Sequence, residues 1–325
     1  MGGQNFDFKY FRIERISEEK SKDIAFLFKV VFNALAPEEA INQKHLSCNG
    51  EHKFIGYIAY DKESNTPVAY YAVYPRYMVY KGERVLTAQS GDTMANPNFR
   101  KKSGLFAKLA ELTFNLCEEV GVDLVTGFPN SLSYLTFVKK LNFLELPKLV
   151  DLQFVENKFE LRRFTHKFQI LVDLHQVWIR LVFRALFGKG SMFQNSNEQN
   201  IDLSYVDRDK SFFESKKTYN KLLISHKGIS LLVKVYFEIN RIEIGDIETC
   251  DDKCLLTILK KLKIATRFGG LRFLNYQSSV NASLYKKLLP FSNLENEASL
   301  FIVRDFKNKI PHSSISLQLL DSDGF

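Results

Sequence analysis

The chain has 325 residues, with 45 Lys and Arg against 37 Asp and Glu, a formal net charge of +8, and 45% hydrophobic residues. This is the composition of a folded globular protein, and the length predicts about two domains. The four cysteines are too few for the disulfide framework of a small secreted protein, so we expect a reducing compartment. The mild basic charge is spread along the chain, and no helix-turn-helix or RNA-recognition pattern is present, which argues against nucleic-acid binding.

Residues 1–150 predict an alternating α/β domain. The first seven residues contain no basic region followed by an apolar run, so we expect no signal peptide and a cytoplasmic location. A strand at 10–15 precedes a helix at 19–34, in which Ile24, Leu27 and Val31 lie at three- and four-residue steps. The later predicted elements are strands at 54–60, 68–73, 77–80 and 85–95, a helix at 104–119, a strand at 122–127, a helix from 129 to 140 and a strand that begins at Phe143.

Residues 151–200 are predicted to connect two domains, and their centre, 168–187, is the most apolar helical segment of the chain. Asp173, Gln176, Arg180 and Arg184 interrupt it, so it is not expected to span a membrane. Burial between the domains is the favoured interpretation. A helix that lies in a membrane interface is the alternative.

Residues 201–325 repeat the order of the first domain. Gly245-Asp246 corresponds to Gly91-Asp92, and the asparagine, tyrosine and paired lysines that follow Asp92 have counterparts in Asn281, Tyr285 and Lys286-Lys287. We therefore predict a tandem duplication of one α/β unit.

The most informative segment runs from Asp92 through Pro97 and Arg100-Lys101-Lys102 to Gly104 and the next helix. A strand that leads through a basic turn and a glycine into a helix predicts an anion site, because the first amide groups of a helix have no partner within it and its dipole favours negative charge. A diphosphate suits such a site. The segment is neither a Walker loop nor the three-glycine dinucleotide motif.

These residues resemble the coenzyme-binding turn of the GNAT superfamily of acyl-CoA-dependent N-acetyltransferases, which has Arg or Gln, two residues, Gly, one residue, and Gly or Ala. Lys101-Lys-Ser-Gly104-Leu-Phe106 keeps the central glycine, with Lys at the first position and Phe at the last. Alternatively, Arg100 fills the first position and the loop has one extra residue. The setting is similar too, because Asn130 opens a helix that leads into Leu141-Asn142-Phe143, where the family usually has Leu-Gly-Phe.

The resemblance implies an α/β fold of two GNAT-like domains, each with a mixed, mostly antiparallel central sheet flanked by helices. The expected boundaries are 1–150 for an acyl-CoA-binding domain, 151–200 for the connector and 201–325 for a second, degenerate domain. Acidic Asp251-Asp252 replaces the basic turn in the second domain, so one coenzyme site per chain is expected.

The resemblance also implies which residues bind acetyl-CoA, the expected cosubstrate. Backbone groups of Met94 and Ala95 would contact the pantetheine arm, and Asn130 would lie near the thioester. The diphosphate would be held by the basic turn and the following helix start, which are Arg100, Lys101, Lys102, Ser103, Gly104, Leu105 and Phe106.

The expected reaction is attack of an amine on a thioester, which needs a base for the ammonium and an acid for the departing thiolate. Asp92 is the candidate base, although the second Gly-Asp, at Gly245-Asp246, equally suggests a structural carboxylate. Many family members use a tyrosine as the acid, but the corresponding position here is Val138. Tyr134, one turn earlier, is the candidate substitute.

We therefore expect an N-acetyltransferase that acts on a primary amine of a small molecule, an amino sugar being the first choice. The alternative is a non-catalytic coenzyme A-binding or scaffold module with a degenerate GNAT fold. No metal and no nucleic-acid partner are expected, and contact with a membrane surface is the less favoured possibility. The tail resembles those of bacterial tandem members, in which Asp321 or Asp323 would meet the acceptor amine.

Overall fold

The computed structural model describes residues 5–46, 52–99, 104–158, 160–162, 168–192, 200–209, 212–213 and 221–322. It divides into two compact units. Unit 1 contains Met1–Leu146 and Leu300–Ser314, and unit 2 contains Pro147–Ser299 and Ile315–Phe325.

Unit 1 is built on one sheet, in which the strand order is β1-β2-β3-β4-β5-β6-β16-β7. Only β5 and β6 are parallel, and the other neighbours are antiparallel. The strands are β1 (Asn5–Phe8), β2 (Phe11–Arg15), β3 (Ile55–Asp61), β4 (Pro67–Tyr80), β5 (Glu83–Ala95), β6 (Leu124–Gly127), β7 (Leu144–Leu146) and β16 (Phe301–Asp305).

Two pairs of helices cover the two faces of this sheet. The helices are α1 (Ser21–Phe32), α2 (Glu38–His45), α3 (Leu105–Glu119) and α4 (Ser131–Lys140). Ile24 and Ile41, from α1 and α2, pack in one buried cluster with Met94 of β5. Leu109 and Phe137, from α3 and α4, pack in another with residues from the opposite face of the strands. Each side of the sheet is therefore apolar.

Unit 2 has a second mixed sheet, in the order β15-β8-β14-β13-β12-β11-β9, in which only β13 and β14 are parallel. Its strands are β8 (Val150–Glu156), β9 (Gly188–Lys189), β11 (Lys221–His226), β12 (Ile229–Tyr236), β13 (Arg241–Ile247), β14 (Phe273–Ser278) and β15 (Leu294–Glu297). A parallel pair joins β10 (Ser204–Val206) and β17 (Ile315–Ser316). Its helices are α5 (Gln169–Leu186), α6 (Asp252–Phe268) and α7 (Ser283–Leu288).

The predicted α/β class with two mixed, mostly antiparallel sheets is confirmed, and most predicted elements lie within a few residues of their expected positions. The predicted strands 68–73 and 77–80 form one strand, because Pro75 and Arg76 continue the ladder with Ala88 and Thr87 of β5. Helix α5 is buried on one face, where Ile179 and Phe183 join the core of unit 2, whereas Leu174 and Leu181 are exposed. No described helix has both the length and the apolarity that spanning a membrane requires.

The units are interleaved along the chain, whereas the predicted domains 1–150 and 201–325 are contiguous. Strand β16, near the end of the chain, lies between β6 and β7 in the sheet of unit 1. Strand β8, which follows β7 directly, lies between β14 and β15 in the sheet of unit 2. Each sheet is therefore completed by a strand from the other half of the sequence.

Substitutions in these two strands test the interleaving. Ile302 of β16 is fully buried in the core of unit 1, and Leu152 of β8 is fully buried in the core of unit 2. We expect Ile302→Ala and Leu152→Ala each to lower the free energy of unfolding by about 2–5 kcal/mol. Hydrogen exchange read by mass spectrometry should speed up in β5 and β6 for Ile302→Ala, and in β13 and β14 for Leu152→Ala.

The exposed Ile239→Ala is the control, and its cost should stay within about 0.5 kcal/mol. Faster exchange in β13 and β14 on substitution of Ile302 would contradict the strand arrangement.

Candidate functional site

The two parallel strands of unit 1 part before β5 ends. Their pairing runs from Thr87↔Leu124 to Ser90↔Gly127, and β5 continues to Ala95. On its other side β5 stays paired with β4 as far as Ala95. Among the described residues, no strand continues the ladder on the β6 side. We call this place, where residues 91–95 run past the end of β6, the seam of unit 1.

A β-bulge lies within the seam. Tyr70 pairs with Met94 and Ala72 pairs with Gly91, so Tyr71 alone faces both Asp92 and Thr93. Asp92 has a φ of +47°, in the left-handed region that few residues other than glycine adopt. Bulges of this kind bend a strand and redirect its side chains, and they are frequent beside active sites.

Helix α3 begins beyond the seam at Gly104, which has a φ of +83° and precedes the first helical residue. A Cβ placed on Gly104 would meet no atom within 4 Å, so the space beside this helix end is open. The first turn of α3 contains no acidic residue, and no side chain caps it in the described part of the chain. The helix start therefore suits an anion.

The predicted coenzyme-binding residues lie around these features. The Met94 side chain is buried, Met94 pairs with Tyr70 of β4, and Ala95 ends the strand. Leu105 is buried, and Phe106 packs edge-to-face on Tyr71 at 5.3 Å between ring centroids. Arg100, Lys101, Lys102 and Ser103 lie outside the described residues.

Asn130 is exposed and occupies the start of helix α4. Its side-chain oxygen accepts the backbone N–H of Ser133 at 2.9 Å, and its carbonyl accepts that of Tyr134 at 3.0 Å. The residue therefore acts as a helix cap next to the end of β6.

Asp92 is held by two donors on the α1/α2 face of the sheet. Lys44 Nζ lies 2.5 Å from its Oδ2, and the Tyr74 hydroxyl donates to the same oxygen at 2.8 Å. Among the described residues, none donates to Oδ1. The Asp92 side chain is 22% exposed.

A neutral histidine lies beside this carboxylate. His45 is fully buried, its Nε2 lies 2.8 Å from the Tyr70 hydroxyl, and its ring packs on Phe54 and Tyr74. Burial lowers the pKa of His45 from 6.5 to about 3, although the Asp92 charge acts in the opposite direction. His45 is thus uncharged at neutral pH.

Sequence reasoning missed Lys44 and His45, because helix α2 was not predicted. Ile41 is its only buried large apolar side chain, so the helix has almost no apolar periodicity. The available signal was charge: Glu38 and Glu39 follow Pro37 at the start, and Lys44 and His45 occupy the last turn.

Tyr134 lies in helix α4. Its hydroxyl donates to Glu145 on the edge strand β7, and this hydrogen bond raises the pKa of the phenol. No described hydrogen bond joins Tyr134 to Asp92. Unit 2 contains the same contact, since Tyr285 of α7 donates to Glu295 of β15 at 2.7 Å. The pair joins a helix to the edge strand in both units.

Unit 2 has an equivalent seam. Its parallel pairing runs from Arg241↔Phe273 to Ile244↔Tyr276, again four pairs, and Gly245-Asp246 follows at a bulge. Here the C-terminal segment fills the place: a short 3-10 helix, Leu319–Asp321, contacts β13 and β14.

A buried ion cluster fixes the C-terminal segment of unit 2. Arg208 binds both carboxylate oxygens of Asp321 at 3.0 Å, and its remaining terminal nitrogen lies 2.5 Å from Asp246. Because Asp321 is almost completely buried, the expectation that it meets an acceptor amine is wrong. Asp323 lies outside the described residues.

The helix start that follows this second seam is capped by an acid. Asp251 accepts the backbone N–H of Cys254 at 2.7 Å, and Asp252 follows in the first turn. A second anion would be repelled here.

No family model and no curated sequence matches the chain. Solved structures do match the chain. The chain is similar to a GCN5-related N-acetyltransferase from Kribbella flavida, with 10% identity, a TM-score of 0.57, and coverage of 91% of this chain and 71% of the other. It is also similar to a GCN5-related N-acetyltransferase from Anabaena variabilis, with 13% identity, a TM-score of 0.54, and coverage of 91% and 72%.

The buried His45 predicts a stability that falls in acid. Above pH 6.5 the ring is neutral in both the folded and the unfolded state. Below it, only the unfolded state binds the proton, so stability is lost from pH 6.5 down to about 3. At pH 5 the loss from this residue should be about 2 kcal/mol. Denaturant titrations at pH 7 and pH 5 should show this loss in the wild type and its absence in His45→Phe.

Phe54→Leu is the matched control, because it removes the stacking partner of His45 without removing the titrating group. Its destabilisation should be similar at both pH values. Equal pH dependence in the wild type and His45→Phe would contradict the prediction.

Proposed function

We propose that this chain, which has the fold of the GCN5-related N-acetyltransferases, is an acyl-CoA-dependent N-acyltransferase with its coenzyme site in the seam of unit 1. The observation that carries the proposal is the contrast between the two seams. In unit 2 the polypeptide itself fills the seam and buries Asp246. In unit 1 Asp92 and Thr93 stay half-buried, and no described side chain caps the start of α3.

The residues of unit 1 fit an acyl-CoA cosubstrate. An extended pantetheine arm, with its amide groups, can pair with the β5 backbone from residues 91 to 95, as a strand added to a sheet edge would. The diphosphate would lie at the start of α3, where Gly104 leaves room. The first amide groups of a helix have no partner within it and can bind an anion. Arg100, Lys101 and Lys102 would add cations to the same place.

Transfer of the acyl group to a primary amine needs a base and a proton donor. The amine nitrogen attacks the thioester carbonyl, a C–N bond forms, and the C–S bond breaks to release the thiol of coenzyme A. We assign Asp92 as the base that takes the ammonium proton through Oδ1, directly or through a water. We assign Tyr134 as the proton donor to the thiolate, a role that requires its bond to Glu145 to open.

The acceptor we place first is an amino sugar or its nucleotide conjugate, followed by a peptide or polyamine amine. We place the reaction in the cytoplasm, since Cys117, Cys250 and Cys254 are free thiols, as in proteins of reducing compartments.

The coenzyme site is tested by calorimetric titration of acetyl-CoA and free coenzyme A. We expect micromolar binding to the wild type, about −8 kcal/mol. Gly104→Glu should weaken it by about a hundredfold or more, because a carboxylate would occupy the place of the diphosphate.

Gly82→Glu is the matched control. Gly82 also has a φ near +80° and open space around a Cβ, but it lies in the turn between β4 and β5. Both variants carry the same backbone strain, of about 1–2 kcal/mol, so only the position differs. Equal binding by Gly104→Glu and the control would overturn the proposed cradle.

The catalytic assignments are tested by the rate of thiol release over a panel of amines. Asp92→Asn and Tyr134→Phe should each lower turnover by about 10²–10⁴. Tyr285→Phe, which removes the matching hydroxyl in unit 2, should leave turnover unchanged. Full turnover of Asp92→Asn at every pH would contradict the assignment of Asp92 as the base. An unchanged rate for Tyr134→Phe would contradict the assignment of Tyr134 as the proton donor. Coenzyme binding with no turnover of any amine would favour the binding-module alternative.

A further inference from the structure

Helix α5 carries a continuous apolar stripe on the face that it turns away from the core of unit 2. Ile170, Leu174, Val177, Trp178 and Leu181 lie at three- and four-residue steps and are between 46% and 72% exposed. The opposite face of the helix is buried in the core. A helix that is apolar on both faces has a partner on each of them in most proteins.

Helix α6 extends this stripe. The Trp178 indole N–H donates to the backbone carbonyl of Phe268 at 2.8 Å, which places the two exposed side chains at neighbouring positions. Phe268 and Ile264, one turn before it, are also exposed. We call the exposed apolar residues of α5 and α6 together the apolar patch of unit 2.

Exposed cations lie next to the apolar patch. The two helices contain seven Lys and Arg against two Asp, a net charge of 7 − 2 = +5. Lys260 and Arg267 are exposed on the same side of α6 as Ile264, and Arg184 is exposed beside the stripe on α5. Burial lowers the pKa of Lys263, and the charge of Arg267 acts in the same direction.

We propose that the apolar patch of unit 2 binds an anionic lipid surface, with α5 and α6 lying in the plane of the interface. Apolar side chains of the patch would enter the boundary between headgroups and acyl chains, and the Lys and Arg side chains would contact lipid phosphates. An aromatic residue with a polar edge, such as Trp178, is favoured at that depth.

The charge pattern selects this occupant over a second copy of the chain. In a twofold dimer through the patch, the same cations would face each other, and like charges across an interface are unfavourable. An anionic membrane offers the opposite charge to every one of them. An anionic membrane can therefore contact both the apolar stripe and the cations.

Trp178 is the only tryptophan of the chain, so its fluorescence reports on the patch alone. The full chain is mixed with vesicles of phosphatidylcholine, with and without phosphatidylglycerol, at low and high ionic strength. We expect a blue shift of the emission and co-sedimentation with the anionic vesicles, both reduced by salt. Vesicles of phosphatidylcholine alone should bind much more weakly.

Two pairs of substitutions separate the contributions. Lys260→Gln and Arg267→Gln should each lower the partition coefficient about fivefold. Leu174→Gln and Leu181→Gln should each lower it about tenfold. The controls are Ile239→Gln and Lys139→Gln, which change exposed residues outside the patch and should leave partitioning unchanged.

Three results would overturn the proposal. The first is no blue shift and no co-sedimentation with anionic vesicles at low salt. The second is partitioning that the four patch substitutions do not change. The third is a blue shift that grows with protein concentration in the absence of lipid, which would identify a second copy of the chain as the occupant.

Discussion

A sheet whose parallel strands part leaves backbone groups that must find another partner, and this constraint organises both units. Buried amide and carbonyl groups are rarely left without a hydrogen bond. In unit 2 the chain provides the filling itself, since Gln318 bridges to Ser278 and the Leu319–Asp321 turn lies against β13 and β14. In unit 1 the corresponding stretch of β5 follows the same four-pair ladder and the same Gly-Asp bulge. The proposed cosubstrate is an extended molecule with amide groups of its own, and these groups can hydrogen-bond to this stretch of backbone.

The comparison between the units also separates scaffold from chemistry. The bulge at Gly-Asp occurs in both units and is best explained by the fold. Features confined to unit 1 are the better candidates for function. They are the glycine start of α3, which no described side chain caps, and the group of Lys44, Tyr74 and His45 around Asp92. In unit 2 an acid caps the helix, and a buried arginine neutralises the equivalent aspartate.

Much of the fold could be predicted from the sequence, because strong apolar periodicity and turn residues determine the elements themselves. The helix at 104–119 and the paired positions of Asp92 and Asp246 are examples. Helix α2 could not be predicted, since its stability comes from packing around Ile41 and not from a pattern. The buried contact of Asp321 was hidden for another reason: Arg208 lies 113 residues away in sequence, and a charged tail gives no sign of being covered. The placement of β16 depends likewise on pairing between distant segments.

That placement has a consequence for how the protein is made. During synthesis the ribosome completes β6 and β7 long before β16, which begins roughly 150 residues later. At 5–20 residues per second, about 8–30 s pass with a gap in the nascent sheet and two strand edges available to other chains. A newly made first half is therefore a natural client for a chaperone. Release from the chaperone would require synthesis of β16, near the end of the chain. Premature termination between β7 and β16 would yield a product whose sheet lacks the strand between β6 and β7.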